Sequence, residues 1–257
     1  MRLLDLYCGA GGSAAGYHHA GFDDITGVDI APQPRYPYRF IQADALQYLE
    51  NHGTEYDFIH ASPPCQAYSI MNNLPWMRHR TYPLLILPTL ELLRAVGKPY
   101  VLENVMGARH GAKGLTKRGL EAHGLEAGYL CGTMFGKPYY RHRLFATDSW
   151  LWLTPEHPKH RLNPHPRSEG LPGGMAGMDV RPRRGGTLPH SYADGNRVMS
   201  LGEWQERGGV GIGHAKGWRL AAEAMEIDWC NRTELTQAIP PVYTEHIGRE
   251  MLKVVAS

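Results

Sequence analysis

The chain has 257 residues, with 27 lysines and arginines against 25 aspartates and glutamates, so its formal net charge is only +2 and it is no polybasic tail protein. With 42% hydrophobic and 20% charged residues it can bury a core the size of one large domain, or of a domain with a small lobe. No uncharged run approaches the ~20 residues of a bilayer span. Four separated cysteines (Cys8, Cys65, Cys131, Cys230), without a CxxC pair or a charged-then-apolar leader, fit a reduced, cytosolic protein.

In chain order, Arg2 to Tyr7 is an apolar run ending in a glycine cluster, the pattern of a buried parallel strand entering a tight turn. Ser13 is expected to cap a helix through Ala20. Strands are expected at Ile25–Asp29, Arg39–Gln42 and Phe58–Ala61, with a short helix at Ala45–Asn51. Helical spacing over Tyr82–Val96 places Pro83 in a first turn and Pro88 at a kink. Pro99–Leu102 is a fifth strand, and Pro241–Val255 an amphipathic helix. Strands alternating with helices imply an α/β fold with an open, mostly parallel, Rossmann-like sheet, whose ligand lies beyond the carboxyl ends of the strands.

Charge and composition shift in the second half. Residues 139–219 hold 12 basic and 7 acidic side chains and six histidines, and 13 glycines and 7 prolines fall between Pro155 and Gly217. That stretch suits neither long helices nor central strands, and it is the face an anionic partner would prefer. Trp204, Tyr192 and Trp218 are interspersed among its basic residues, as on many nucleic-acid surfaces. The spacing His157, His160, His165 invites a zinc reading, but it holds no cysteine and lies amid prolines, so no metal is assigned.

The chemistry-bearing motifs fall at strand ends. In Asp5-Leu-Tyr-Cys-Gly-Ala-Gly-Gly12 the glycines permit positive φ and close approach of a ligand to the backbone. Asp29, about 20 residues on, suits ribose hydroxyls, and Asp44 could accept from an adenine amino group. A dinucleotide or nucleotide phosphate remains open. Two acids and no Gly-Lys-Ser/Thr disfavour a triphosphate, and the charge better suits a cationic sulfonium adenosine. In Ser62-Pro-Pro-Cys65-Gln-Ala-Tyr-Ser69 two prolines stiffen the segment that carries the Cys65 thiol, as a nucleophile requires. Glu103-Asn-Val105 places a carboxyl beside it if the two strands are neighbours.

The ordered series LDLYCGAGG, VDI, ADAL, SPPCQAYS, ENV and YYRHRLF, closed by QAIPPVYTEHIGREML, resembles the DNA cytosine-5 methyltransferase family over residues 2–147 and about 218–257. The resemblance implies a nucleophile at Cys65, a catalytic carboxyl at Glu103, and pocket arginines at Arg141 and Arg143. It implies S-adenosyl-L-methionine as cofactor, with contacts at Tyr7, Gly9, Gly11, Asp29, Ile30, Asp44, Pro64 and Ala238. DNA is the implied partner, with Gln66 of the cysteine loop against it; the charge count adds the densest basic cluster, Arg181, Arg183 and Arg184, as the residues expected to meet it. The implied organisation is a catalytic domain (1–147), a small target-recognition lobe (148–217) and a C-terminal segment (218–257) that returns to complete the pocket. The expected setting is the cytoplasm of a bacterial or phage-infected cell, and the expected state a monomer.

Three positions depart from the family pattern: Tyr139 stands where glutamine is usual, Gln237 where asparagine is, and Ile30 where a tryptophan often stacks on adenine. The variable segment is short. Methylation of RNA or of a free cytosine nucleotide, and a methyltransferase-like DNA-binding protein without turnover, are the alternatives.

Overall fold

The computed structural model describes residues 1–68, 81–110, 120, 123–137, 139–148, 150, 152–158, 193–194, 197–198, 210–211 and 218–256. Its main sheet contains β1 (Arg2–Leu6), β2 (Asp24–Asp29), β3 (Arg39–Gln42), β4 (Phe58–Ala61), β5 (Tyr100–Asn104), β6 (Glu126–Leu130) and β8 (Arg143–Thr147), in the order β3-β2-β1-β4-β5-β8-β6. A two-residue β7 (Tyr139–Tyr140) pairs in parallel with residues 210–211 outside this sheet. Neighbours from β3 to β5 run parallel, whereas β8 is antiparallel to both β5 and β6. The sheet is therefore mixed: five strands follow the expected parallel pattern and an antiparallel pair closes one edge.

Central strands buried on both faces explain why their sequences are continuous apolar runs. Side chains still alternate between two cores. Leu3, Phe58, Val101 and Phe145 face helices α1 (Gly12–Ala20) and α6 (Pro241–Ala256), with Tyr17, Tyr243, Ile247 and Met251. Leu4, Ile59, Leu102 and Leu144 face α2 (Ala45–His52) and α3 (Ile86–Val96), with Leu49, Leu90 and Leu93. Two further helices, α4 (Trp218–Met225) and α5 (Arg232–Gln237), lead into α6.

Helix α6 lies so close to α1 that a Cβ on Gly16 would collide with the Pro241 carbonyl and the Thr244 hydroxyl, and one on Gly12 with the Ile239 carbonyl. The Thr244 hydroxyl also donates to the Ser13 carbonyl at 2.8 Å. Small residues on α1 thus let the last helix dock against the first.

Two local expectations are corrected. Ser13 does not cap α1: the N-cap is Gly11, in the left-handed region, and the Ser13 hydroxyl instead donates to the buried Asp5 carboxyl. Helix α3 begins at Ile86, not Tyr82, so Pro88 falls in its first turn, where a missing N–H costs no helical hydrogen bond.

Candidate active site

Strand order reverses around β1, which lies between β2 and β4, and in sheets of this kind ligands bind at such a switch point, beyond the carboxyl ends of the strands. The turn after β1 bends through three left-handed residues, Tyr7 (φ 57°), Gly9 (φ 50°) and Gly11 (φ 89°). That geometry is unusual for a tyrosine, and the Tyr7 hydroxyl is anchored to Thr89 Oγ1 at 2.8 Å. A Cβ on Gly9 would meet nothing within 4 Å, so bare backbone faces open space. Gly11 has a different reason to be glycine: a Cβ there would lie 2.7 Å from the Pro37 ring. The turn is held by the Gly9 N–H donating to Asp29 at 3.0 Å and by the Trp229 indole donating to the Ala10 carbonyl at 2.7 Å.

Asp29 also accepts from the Ala31 N–H at 2.9 Å, which fixes both carboxylate oxygens at the end of β2. Ile30, 71% exposed, follows it. Asp44 caps α2, with one oxygen accepting from the N–H groups of Leu46 and Gln47 at 2.9 and 3.0 Å. This capping role was not part of the sequence expectation, although acidic N-caps are favoured for the same electrostatic reason. An open backbone turn flanked by two carboxylates and no lysine fits an adenosine bearing a cationic sulfonium.

On the other side of β1, the cysteine loop leaves β4. The Ser62 N–H donates to the Leu6 carbonyl at 3.2 Å, and the Asn104 side chain donates to the Pro63 carbonyl at 2.9 Å. The tip carries half-buried Pro64 and Cys65, followed by exposed Gln66. Strands β4 and β5 pair in register from Ile59–Tyr100 to Ala61–Leu102, so the loop beginning at Ser62 and the carboxyl of Glu103 emerge side by side.

Glu103 is 5% exposed. Arg143 Nε lies 3.0 Å from its Oε1, an ion pair without hydrogen-bond alignment, and among the described residues Oε1 accepts no hydrogen bond. Burial pushes the Glu103 carboxyl up to about 6, with Arg143 and then Arg141 pulling it down. Burial also raises the Cys65 thiol, and Glu103 adds to that, while Arg143 and Arg141 oppose. Burial and the adjacent Arg143 cation lower Arg141 to about 9, so it stays charged at neutral pH. The guanidinium of Arg141 donates to the Thr236 carbonyl at 2.7 Å, and the Tyr243 hydroxyl donates to the Arg141 carbonyl at 2.6 Å. Arg141 thus ties its motif to the C-terminal segment beside buried Ala238.

Cys65, Glu103, Arg141 and Arg143 form one electrostatically coupled group. Arg181, Arg183 and Arg184 lie outside the described residues, as does most of the expected lobe. Sequence reasoning missed Asn104, Thr89, Thr236 and Trp229. Asn104 was within reach, being the middle residue of the Glu-Asn-Val motif; the others act through single contacts that no local pattern announces.

Residues 1–148 match the family model for C-5 cytosine-specific DNA methylases. The chain belongs to that family. Among related proteins, this cytosine-5 methylase is 27% identical over 196 residues to the type II methyltransferase M.AquIA of Picosynechococcus sp., covering 63% of this chain and 77% of that one. It is 33% identical over 84 residues to the ribosomal RNA large subunit methyltransferase K/L of Pseudoalteromonas atlantica, covering 33% of this chain and 12% of the other. A solved structure of a prophage-encoded E. coli protein, assigned as a DNA modification methyltransferase, superposes with TM-score 0.56 at 17% identity, covering 100% of both chains, and shares the fold. Among the described residues of this methylase, no helix is long and apolar enough to cross a membrane.

Proposed function

We propose that the protein transfers a methyl group from S-adenosyl-L-methionine to C5 of a cytosine in DNA, through a covalent Cys65 adduct on a base rotated out of the duplex. The observation that carries this reading is the pairing of Cys65 and Glu103 at the ends of adjacent strands, with Arg143 on the carboxylate. Tyr7, Gly9, Gly11, Asp29, Ile30, Asp44, Pro64 and Ala238 are the residues assigned to the cofactor. When bound, the cofactor supplies an electrophilic methyl.

Cytosine C5 is a weak nucleophile until a thiolate adds at C6. Cys65 sulfur forms that bond, and the displaced electron pair moves through the ring to N3, where protonated Glu103 delivers its proton. The 4-amino group donates to the same carboxyl, which favours cytosine over uracil. C5 is then enamine-like and takes the methyl group. Loss of the C5 proton to water, return of the N3 proton to Glu103 and departure of Cys65 from C6 restore the aromatic base and the thiolate. In this reading Arg143, ion-paired with Glu103, orients the carboxyl and holds the base O2. The target atoms are stacked inside a duplex, so the base must leave the stack.

In this reading Gln66 fills space near the vacated stack, and Arg181, Arg183 and Arg184 meet phosphates. Their triple alanine variant should lose DNA affinity and show a weaker salt dependence, with cofactor binding intact.

The test is transfer of labelled methyl from S-adenosylmethionine to duplex DNA, RNA and dCMP in parallel, with single-base sequencing of the methylated DNA. Label only in RNA or dCMP would reassign the substrate. Target DNA carrying 5-fluorocytosine should form a denaturant-stable adduct, because fluorine cannot leave as a proton; a confirmed target without that adduct would remove the covalent step.

A further inference from the structure

Three side chains that the methyl-transfer chemistry does not use converge behind the arginine motif. Cys131 follows β6, His142 lies between Arg141 and Arg143, and His157 follows β8. Their ligand atoms all fall within 4.8 Å of one another. The two imidazoles are stacked at 5.2 Å between centroids, their Nε2 atoms 3.1 Å apart, and the Tyr129 ring packs against both.

The sulfur sits in a particular environment. Cys131 is the N-cap of a 3-10 turn (Gly132–Phe135), whose Met134 N–H donates to the Cys131 carbonyl at 3.0 Å. The Thr133 hydroxyl donates to the Cys131 Sγ at 3.4 Å. A hydroxyl donor on a buried sulfur complements negative charge on that atom, as in a metal thiolate. As a thiol, Cys131 points toward the Tyr139 carbonyl at 4.0 Å, a long contact easily exchanged for a metal bond.

We infer that Cys131, His142 and His157 form a zinc site. One thiolate and two imidazoles are a donor set suited to zinc. Tetrahedral zinc with Zn–S of about 2.3 Å and Zn–N of about 2.0–2.1 Å needs ligand atoms roughly 3.3–3.7 Å apart. The nitrogens, at 3.1 Å, need to part by only a few tenths of an ångström, and the sulfur, within 4.8 Å, needs about 1 Å of side-chain adjustment. A water or a further donor takes the fourth position.

The site would clamp three pieces of chain: the end of β6, the centre of the arginine motif, and the segment entering the variable region. Its role is positional, because the ligands approach Arg141 and Arg143 from within their own strand connection. The local spacing His157, His160, His165 lacked a sulfur; Cys131 supplies it from the turn after β6, 26 residues before His157 (157 − 131).

The test uses the full-length protein with any affinity tag removed. Purified protein should contain stoichiometric zinc by elemental analysis. Metal-stripped protein titrated with Co(II) should develop a thiolate-to-cobalt charge-transfer band and tetrahedral visible absorption. Cys131→Ser should abolish the charge-transfer band, and His157→Ala, at a half-buried position outside the core, should weaken cobalt binding at least tenfold. Zinc should raise the melting temperature of the wild type and of neither variant. The inference fails if the wild type binds Co(II) no more tightly than His157→Ala, or if the charge-transfer band survives in Cys131→Ser. An ordinary histidine–histidine hydrogen bond would give those results.

Discussion

Two buried carboxyls within the sheet teach opposite lessons. Asp5, on β1, is fully buried, accepts from the Ser13 hydroxyl at 3.0 and 2.9 Å on its two oxygens, and from the Tyr36 hydroxyl at 3.3 Å. Burial drives it up to about 8, against the pull of those hydrogen bonds, so at neutral pH it is mostly an uncharged structural group. Glu103, at the end of β5, is nearly as buried but has Arg143 beside it and one oxygen that accepts no hydrogen bond among the described residues. Satisfied polar groups hold a fold together. A poorly satisfied one persists where a ligand is expected to complete it.

The sharpest contrast comes from the residue beside Glu103. Cys65→Ser should abolish methyl transfer while leaving S-adenosylmethionine affinity within a few-fold, since the thiol acts on the base. Equal turnover by the variant would remove Cys65 as nucleophile. The same carboxyl-to-amide change then separates the two regions. Glu103→Gln should lower kcat/KM by roughly 10²–10⁴-fold, the scale of a lost acid catalyst, whereas Asp5→Asn should leave catalysis near the wild-type level.

The pH profile sharpens this further. Turnover needs thiolate Cys65 and neutral Glu103, yet Glu103 titrates near 6 and the thiol above its ordinary value, so the reactive pair is a minor form at neutral pH. Wild-type kcat/KM should rise with pH through about 6 and level off until the thiol ionises. Glu103→Gln should lose the limb near 6 and show only the rise toward the thiol. An unchanged limb would assign it to another group.

A smaller effect is expected at the cofactor turn. Asp29→Ala should weaken cofactor binding by about 1–3 kcal/mol, with DNA affinity retained; calorimetry with unchanged cofactor affinity would remove Asp29 from the pocket. The smallest effect concerns stability at Asp5. Its folded value is raised, so the contribution to stability is complete below its ordinary 3.8 and is lost as pH rises through about 8. The melting temperature of the wild type should therefore fall between pH 6 and pH 9 by more than that of Asp5→Asn. Parallel curves would show that Asp5 is charged in the folded protein.

The parallel half of the fold was legible because β1, β4 and β5 are apolar on both faces and end in glycine, proline or acidic turns. The antiparallel edge was not. In β6, Glu126-Ala-Gly-Tyr-Leu130 has no strong strand pattern, and its place depends on β8, which pairs with β5 across the chain. Ser13 read as a cap because local chemistry favours that role, but burying Asp5 created a stronger demand for its hydroxyl. Cys65 and Glu103 were legible because their motifs travel with their strands. The Cys131, His142 and His157 cluster was not, since its members come from three separate segments and meet only after the sheet edge forms.

The contact of α1 with α6 sets an order of events in folding. The Thr244 hydroxyl and the Ser13 carbonyl are 231 residues apart in sequence, and the helix that carries Ser13 directly follows the glycine turn after β1. Pairing of such distant segments forms slowly, because loop closure must precede its reward. During synthesis, β1 emerges early but its turn lacks the surface that seats it until residues 239–248 have left the ribosome. Ribosome-stalled chains ending at residue 217 should not retain cofactor, and release of the full-length chain should restore binding; retention by the stalled chain would show that the turn is ordered without its distant partner.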